Sequence, residues 1–327
     1  MIEFLSDSSW LSPQIDFLLF LQNIRDSHFR CLDDLFLSIT IIGEFWLPMV
    51  ICAIVYWCID FKSGIYMFSM SSAGMFIAHI LKILACVYRP WILSDKIHPV
   101  QKALLLAPGY SFPSGHSAQA SSLLGGLAFI LRKKAGIAML LILIVLMVGF
   151  SRMWLGVHTP QDVVVGLLIG FSLVFIVNSA INWAEKDKNR YLYILGLVNV
   201  IIIAAIIQMC YFNHYPVDYV DGKLLVNPYH SIQITIFCHG CISGILSGLC
   251  ICRRYFPFDS KEGSLLSKIL RGTIGSVFII FLFKTGVNTF FSGPCDYKIV
   301  FALSFFSGFF ITAIYPFIFS KLLKLKK

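Results

Sequence analysis

The sequence predicts an all-α polytopic membrane protein, and three observations carry that reading. Hydrophobic residues make up 58% of the 327 and charged residues only 13%, against about half and roughly a quarter in a soluble chain. Mean hydropathy is +0.81, and 30 Phe with 13 Tyr is more apolar surface than so few polar groups can shield from water. Apolar runs recur along the chain at about the 20 residues a helix needs to cross a hydrocarbon core of about 30 Å. A soluble enzyme, a disordered tail, a collagen-like fibre and a small disulfide scaffold are excluded.

Nine such runs are expected to span, near residues 35–59, 64–87, 115–131, 135–154, 160–183, 191–212, 230–252, 265–290 and 299–321. Backbone polar groups in lipid must be satisfied within a helix or a closed barrel, and the period-2 alternation of a barrel is missing. Residues 12–26 are too short to span. Ser12 suits a cap and Pro13 a first turn, which predicts an interfacial helix. The chain then divides into an N-terminal segment, 1–33, a membrane core, 34–212, and additional spans, 213–327.

The net charge of +9 does not read as a nucleic-acid footprint, because the basic residues lie in short loops between apolar runs. Lys62, Arg132 to Lys134, Lys186, Lys188, Arg190, Arg253, Arg254, Lys261, Lys268, Arg271, Lys321, Lys324, Lys326 and Lys327 fall on one side of the predicted membrane. The positive-inside rule makes that side, and the C-terminus, cytoplasmic. Trp91 and Trp154 then mark the outer interface, and Trp57 and Trp183 the inner one. Residues 1–33 carry Glu3, Asp7, Asp16, Arg25 and Asp26 rather than a basic stub and an apolar run, so no cleavable signal peptide is expected. Most of the ten cysteines sit inside apolar runs, where Cys behaves as a small hydrophobe.

Ionisable groups near spanning segments are costly and mark candidate sites. Three clusters fall at the same, outer, face. Lys82 and Arg89, followed by Pro90, stand seven residues apart on one helix face. Pro113-Ser114-Gly115-His116 opens a run, with Ser114 at the cap position and Gly115 allowing close approach of a ligand to free helix-start N–H groups. Ser151-Arg152 is followed by His158 and by Thr159-Pro160-Gln161-Asp162, a second helix start. Two helix N-termini with Lys82, Arg89 and Arg152 make a pocket suited to phosphate, to which Arg offers bidentate contacts and Lys a point charge. Asp162, four residues past His158, is placed to hold its ring and tautomer. A neutral His158 can then attack phosphorus while His116 protonates the leaving oxygen.

Lys82-x6-Arg89-Pro90, Pro113-Ser114-Gly115-His116 and Ser151-Arg152-x5-His158-x3-Asp162 together resemble the three-part signature of the type 2 phosphatidic acid phosphatase (PAP2) superfamily, in order, spacing and identity. The signature covers residues 82–162. The resemblance implies a membrane phosphatase with a helical-bundle core, here with three extra C-terminal spans, that needs no metal or other cofactor. It implies that His158 becomes phosphorylated, that Asp162 orients it and that His116 is the acid for the leaving group. It also implies that Lys82, Arg89, Ser114, Gly115 and Arg152 hold the phosphoryl oxygens. No cluster of carboxylates suited to Mg²⁺ stands in the sequence.

A site at a membrane surface favours an amphiphilic phosphate whose tail stays in the bilayer: a phosphatidate, a sphingoid-base phosphate or an isoprenoid phosphate or diphosphate. A soluble sugar phosphate, as in the glucose-6-phosphatase branch, is the alternative. A lipid or anion transporter is a further one, although a carrier sites its polar groups near the midplane. Glu44 and Lys284 lie within apolar runs. Glu44 either meets an amine or hydroxyl of the headgroup or bonds a neighbouring helix; Lys284 either lines the substrate path or snorkels. The loop 213–229 is a lid or a solvated connector, Cys238-x-x-Cys241 reads as packing rather than a metal motif, and Cys31 and Cys295 are candidates for pairing.

Overall fold

A computed structural model describes residues 8–187, 189–212, 215–216, 218–220, 223–256, 258–291 and 296–324. They are mostly helical; the strands among them are a two-residue pair, Tyr219–Val220 with Lys223–Leu224. The principal helices are α1 (Ser8–Ile24), α2 (Asp33–Thr40), α3 (Trp46–Ile54), α4 (Phe61–Ala85), α5 (Gly115–Ile130), α6 (Ala135–Trp154), α7 (Pro160–Ala184), α8 (Arg190–Ile207), α9 (Pro228–Tyr255), α10 (Leu265–Phe291), α11 (Tyr297–Phe309) and α12 (Tyr315–Lys324). Among the described residues, seven helical stretches are long and apolar enough to cross a membrane, and a bent pair raises the number to eight if taken as one span.

Two of the nine expected spans account for the difference. The third run is helical over only the 16 residues of α5, which rise about 24 Å, short of a full crossing. The first run, 35–59, is broken rather than continuous: α2 stops at Thr40, Glu44 is extended with ψ 153, and α3 starts at Trp46. Pro48 accounts for the break, since it has no N–H for the carbonyl of residue 44 and its ring collides with that carbonyl in a continuing helix. The N-terminal helix also differs in extent. It starts at Ser8, with Pro13 inside it rather than at its first turn.

The chain forms two compact units. One contains Met1–Glu44, Ile77–Ser172 and Met209–Ile232. In it α5 packs along α6, and α1 and α2 also pack on α6. Phe36, Ala103, Ala107, Trp154, Leu155 and Val157 form a buried apolar cluster. The closest approach is between α5 and α7. A Cβ on Gly166 would stand 2.5 Å from the Ser114 carbonyl oxygen, and one on Gly170 would stand 2.0 Å from Ser121 Oγ and 2.5 Å from the Ser122 nitrogen. Gly166 and Gly170 therefore let the two backbones touch, the small-residue spacing that brings helices together in lipid, where burial of apolar surface gives no drive. The tight turn after α6 uses Gly156 at φ +73 against Pro99, a conformation that costs a residue with a Cβ.

The other unit contains Phe45–Phe76, Leu173–Gln208 and Gln233–Lys327. Gly240, Gly244 and Gly248 put one face of α9 directly on Ser304, Phe305 and Thr312, and Gly308 returns the contact against the Cys241 carbonyl. Cys238 and Cys241 are buried in this packing. The chain widens at Phe310–Ile314, where bonding runs five residues back, and the carbonyls of Ile311 and Thr312 accept from Trp57 Nε1 at 2.9 Å and Tyr56 Oη at 3.0 Å. Trp57 is thus a fully buried donor and not the interfacial residue expected of it. In the first unit Trp154 is likewise buried, its Nε1 donating to Asp33 Oδ1 at 3.0 Å. Glu185 gathers Lys62 at 2.9 Å, the Tyr191 hydroxyl at 2.7 Å and Arg253.

Replacing Gly170 by Ala should lower the thermal unfolding temperature of the detergent-purified protein. Overpacking of this kind costs about 1–3 kcal/mol. Gly136→Ala, where a Cβ meets nothing within 4 Å, should leave the unfolding temperature unchanged.

Candidate active site

The site lies entirely within the first unit. Its frame is a pair of helix starts. Ser114 caps α5, its Oγ accepting from Ser117 N at 3.4 Å and Ser117 Oγ at 2.9 Å. At the start of α7, Thr159 and Asp162 form a reciprocal box: Asp162 Oδ2 accepts from Thr159 N at 2.9 Å and Asp162 N donates to Thr159 Oγ1 at 3.4 Å. The two starts are joined, because Ser114 N donates to the Asp162 carbonyl at 2.9 Å. The first-turn amides of Gly115 and His116 have no carbonyl one turn back to bond, as at any helix start.

His158 and Asp162 are both buried. Asp162 Oδ2 is 3.1 Å from His158 Nδ1 and also accepts from Ser111 Oγ at 2.5 Å. An acceptor-only carboxylate fixes Nδ1 as the protonated nitrogen and leaves the lone pair on Nε2. That Nε2 is 2.8 Å from Arg89 Nη1. Burial, with Arg89, Lys82 and Arg152 around it, holds the protonation of His158 well below the usual histidine range.

The three cations are buried and differ in what they hold. Lys82 Nζ donates to the carbonyls of Tyr110, Ser111 and Pro113 at 2.8, 2.8 and 2.9 Å. That is its full complement of three protons. Arg89 donates to the carbonyls of Gly109 at 3.1 Å, Val157 at 2.9 Å and Pro108 at 2.9 Å. Arg152 donates from Nη1 to Thr40 Oγ1 at 2.9 Å and from Nη2 to the Leu106 carbonyl at 3.2 Å, while its Nε is buried with no partner among the described residues. His116 stands at the more open edge. Its Nε2 lies 3.1 Å from Glu44 Oε1, with side-chain exposures of 14% and 26%.

The structure therefore brings together Lys82, Arg89, Ser114, Gly115, His116, Arg152, His158 and Asp162, and places Glu44 beside His116. The side chain of Lys284, the residue Cys295 and, in the loop 213–229, residues 213, 214, 217, 221 and 222 lie outside what is described. Cys31 is exposed. From the described part of that loop, Asp218 accepts from the Tyr88 hydroxyl. Ser111 and Thr40 join the site without standing in any of the three clusters. The only signal pointing to either was a polar residue beside an apolar run. Among the described residues, no group of three or more His, Cys, Asp or Glu side chains is placed to hold a metal ion.

Two family models match the chain. That of the PAP2 superfamily covers residues 63–186, and that of the PAP2 superfamily phosphatase transmembrane extension covers residues 237–327. Phosphatidylglycerophosphatase B of Bacillus subtilis is 27% identical over 170 residues, which are 48% of this chain and 77% of that protein. Decaprenylphosphoryl-5-phosphoribose phosphatase of Mycobacterium tuberculosis is 29% identical over 122 residues, 37% of this chain and 65% of that protein. Undecaprenyl-diphosphatase BcrC of Bacillus subtilis is 34% identical over 103 residues, 30% of this chain and 50% of that protein. In the last two the match spans less than two thirds of the relative's length. No solved structure matches the chain. The matched segments take in the whole signature, from Lys82 to Asp162, and the C-terminal helices beyond it, and the chain belongs to the PAP2 superfamily, as a phosphatase with its transmembrane extension.

Proposed function

We propose that the protein hydrolyses the phosphate or diphosphate of an amphiphilic lipid through a phosphohistidine on His158. The observation that carries this reading is the buried chain Ser111–Asp162–His158, with Nδ1 of the ring on the carboxylate and Nε2 turned to the guanidinium of Arg89. A neutral, oriented imidazole in a cationic cage is a nucleophile for phosphorus. Arg89, Arg152 and the first-turn amides of α5 spread the charge of the transferring group, which is the larger part of catalysis when the transition state is loose. Lys82, whose N–H groups are all on carbonyls, acts by its charge and by holding the loop that carries Ser111 and Pro113.

In the first half-reaction His158 Nε2 takes the phosphoryl group and the leaving oxygen takes a proton from His116. In the second, His116 accepts a proton from water as the water attacks the phosphohistidine. Three features support the lipid class. The site stands at helix ends in a membrane chain, the three relatives described above are named as phosphatases or diphosphatases of lipid phosphates, and the rim at His116 is the open side. The distribution of basic residues among the loops supports a site on the non-cytoplasmic face and a cytoplasmic C-terminus.

The deciding assay is phosphate release by the purified protein with EDTA present, on phosphatidic acid, sphingosine 1-phosphate, an isoprenyl diphosphate and glucose 6-phosphate. Turnover of one or more lipids is expected. Turnover of the sugar phosphate alone would replace the lipid reading by the sugar-phosphate one. His158→Ala should lose activity by more than about 10³-fold while the protein stays folded, and retained activity or no acid-trapped phosphoenzyme in the parent would overturn the mechanism.

Arg152→Lys should cost on the order of 10²–10³ in kcat, the cost of one preorganised donor, measured on the best lipid of that panel. Because the environment of His158 disfavours its protonation, the nucleophile stays active as pH falls through the ordinary histidine value of about 6.5. The acid limb of kcat/KM that belongs to His158 is expected below that pH, and a limb at or above it, removed with His158, would contradict the burial argument.

A further inference from the structure

The bend that breaks the first apolar run sits against the site. Gly43 packs on His116 so closely that a Cβ there would lie 2.7 Å from the His116 Cβ and 2.8 Å from its Cα. This close approach, with the backbone extended at Glu44 and its N–H on the Ile41 carbonyl at 3.0 Å, brings the Glu44 carboxylate to the ring at 3.1 Å from Nε2. Four residues earlier, Thr40 Oγ1 receives Arg152 Nη1 at 2.9 Å. One turn, residues 40–44, therefore contacts both His116 and Arg152, and it lies outside the segment matched to the superfamily, residues 63–186.

We propose that Glu44 is the positioning residue of the general acid: it accepts the Nε2 proton of His116, leaves Nδ1 as the nitrogen that exchanges a proton with the leaving group, and stabilises the imidazolium. This deepens the reading of His116 as the acid and rests on it. Glu44 then stands to His116 as Asp162 stands to His158. The atoms balance as follows. The bond from phosphorus to the leaving oxygen breaks with its electron pair on oxygen, that oxygen takes the Nδ1 proton, and the phosphoryl group passes to His158 Nε2. Neutral His116 keeps its Nε2 proton on Glu44 and regains the Nδ1 proton from the water that frees phosphate. Burial, with Arg152 and Arg89 nearby, disfavours the charged form of His116, and the Glu44 carboxylate is the group that favours it. Without Glu44 the site would hold an anion but would lack a proton to deliver.

A bond to the headgroup, the other use of this carboxylate, makes a different prediction. A general acid matters when the leaving oxygen is an alkoxide and matters little when it is a stabilised phenolate. The test uses two phosphates with a common tail and no headgroup: dodecyl phosphate and 4-dodecyl-2-nitrophenyl phosphate. Glu44→Gln, which keeps size and an acceptor oxygen, should lower kcat on the alkyl phosphate about 10- to 100-fold, below the 10²–10⁴ range of a whole general acid. It should change kcat on the nitrophenyl phosphate less than about 3-fold and leave KM near the parent value on both.

Gly43→Ala, which displaces His116 while keeping the carboxylate, should show the same split between substrates. Equal loss on both, or no loss on the alkyl phosphate, would overturn the role of Glu44. His116→Ala separates the two levels of the argument. If it also fails to distinguish the substrates, the assignment of His116 as the acid fails, whereas if it distinguishes them and Glu44→Gln does not, only the Glu44 inference fails. A thermal unfolding curve for each variant identifies a loss that comes from misfolding.

Discussion

One hydrogen bond, from Ser114 N to the Asp162 carbonyl at 2.9 Å, ties the starts of two membrane helices together, and the candidate site hangs on it. Helix starts repel one another when they face, because each presents the positive end of its dipole. Here the approach is compelled from behind. Gly166 and Gly170 let the backbone of α7 lie on α5 at Ser114, Ser121 and Ser122 with no side chain between. What the two starts lose by facing, they recover by sharing an anion, whether the carboxylate of Asp162 or a phosphoryl group. The same close packing that suits lipid, where apolar burial gives little, thus creates the polarity of the site.

The buried cations follow from that arrangement. Three full charges out of water are costly unless their protons find partners, and the loop between α4 and α5 is built of carbonyls to receive them. Lys82 takes Tyr110, Ser111 and Pro113; Arg89 takes Pro108 and Gly109, and also Val157 from the turn between α6 and α7. The loop in turn has no helix or sheet of its own over 108–114, so the cations, with the bonds from Ser111 N to the Val87 carbonyl and from Ser114 N to the Asp162 carbonyl, give it shape. Replacing either cation would therefore remove charge and release the loop together. Ser111, held by Lys82 through its carbonyl, meets Asp162 through its hydroxyl and so links the shape of the loop to the orientation of His158.

Legibility from the sequence follows the range of the interaction. Ser114 with His116 and His158 with Asp162 are each close in sequence at a helix start, where the rules of capping apply. Lys82 and Arg89 do not share the helix face expected of them, because α4 ends at Ala85, Cys86 turns at φ 49 and Arg89 is extended. The turn at 40–44 is legible only as an acid in an apolar run, since Glu44 and His116 are 72 residues apart and nothing local joins them. Pro48 was a sign of the break in the first run, and apolarity alone hid it. Trp57 misleads for a related reason. A tryptophan at a run's end suits an interface, but the widened turn at Phe310–Ile314, itself invisible in composition, offers the carbonyl that draws it inside. The glycine faces of α7 and α9 repeat every four residues and were readable as close-packing surfaces, whereas the helices they face were not.

Under the proposed mechanism, the contacts of Arg89 also order the events of catalysis. Nε2 of His158, the atom proposed to meet phosphorus, lies 2.8 Å from Arg89 Nη1. The lone pair is freed only when that N–H turns to another acceptor, and an incoming phosphoryl oxygen is a stronger one, because its charge makes the bond charge-assisted at both ends. Arg89 also donates to carbonyls through Nε and Nη2, so a small shift of the guanidinium is enough for the change of partner. Arg152 Nε is buried without a partner among the described residues and needs no exchange at all. On the proposed mechanism, binding of the phosphoryl group and unmasking of the nucleophile are in this way one step.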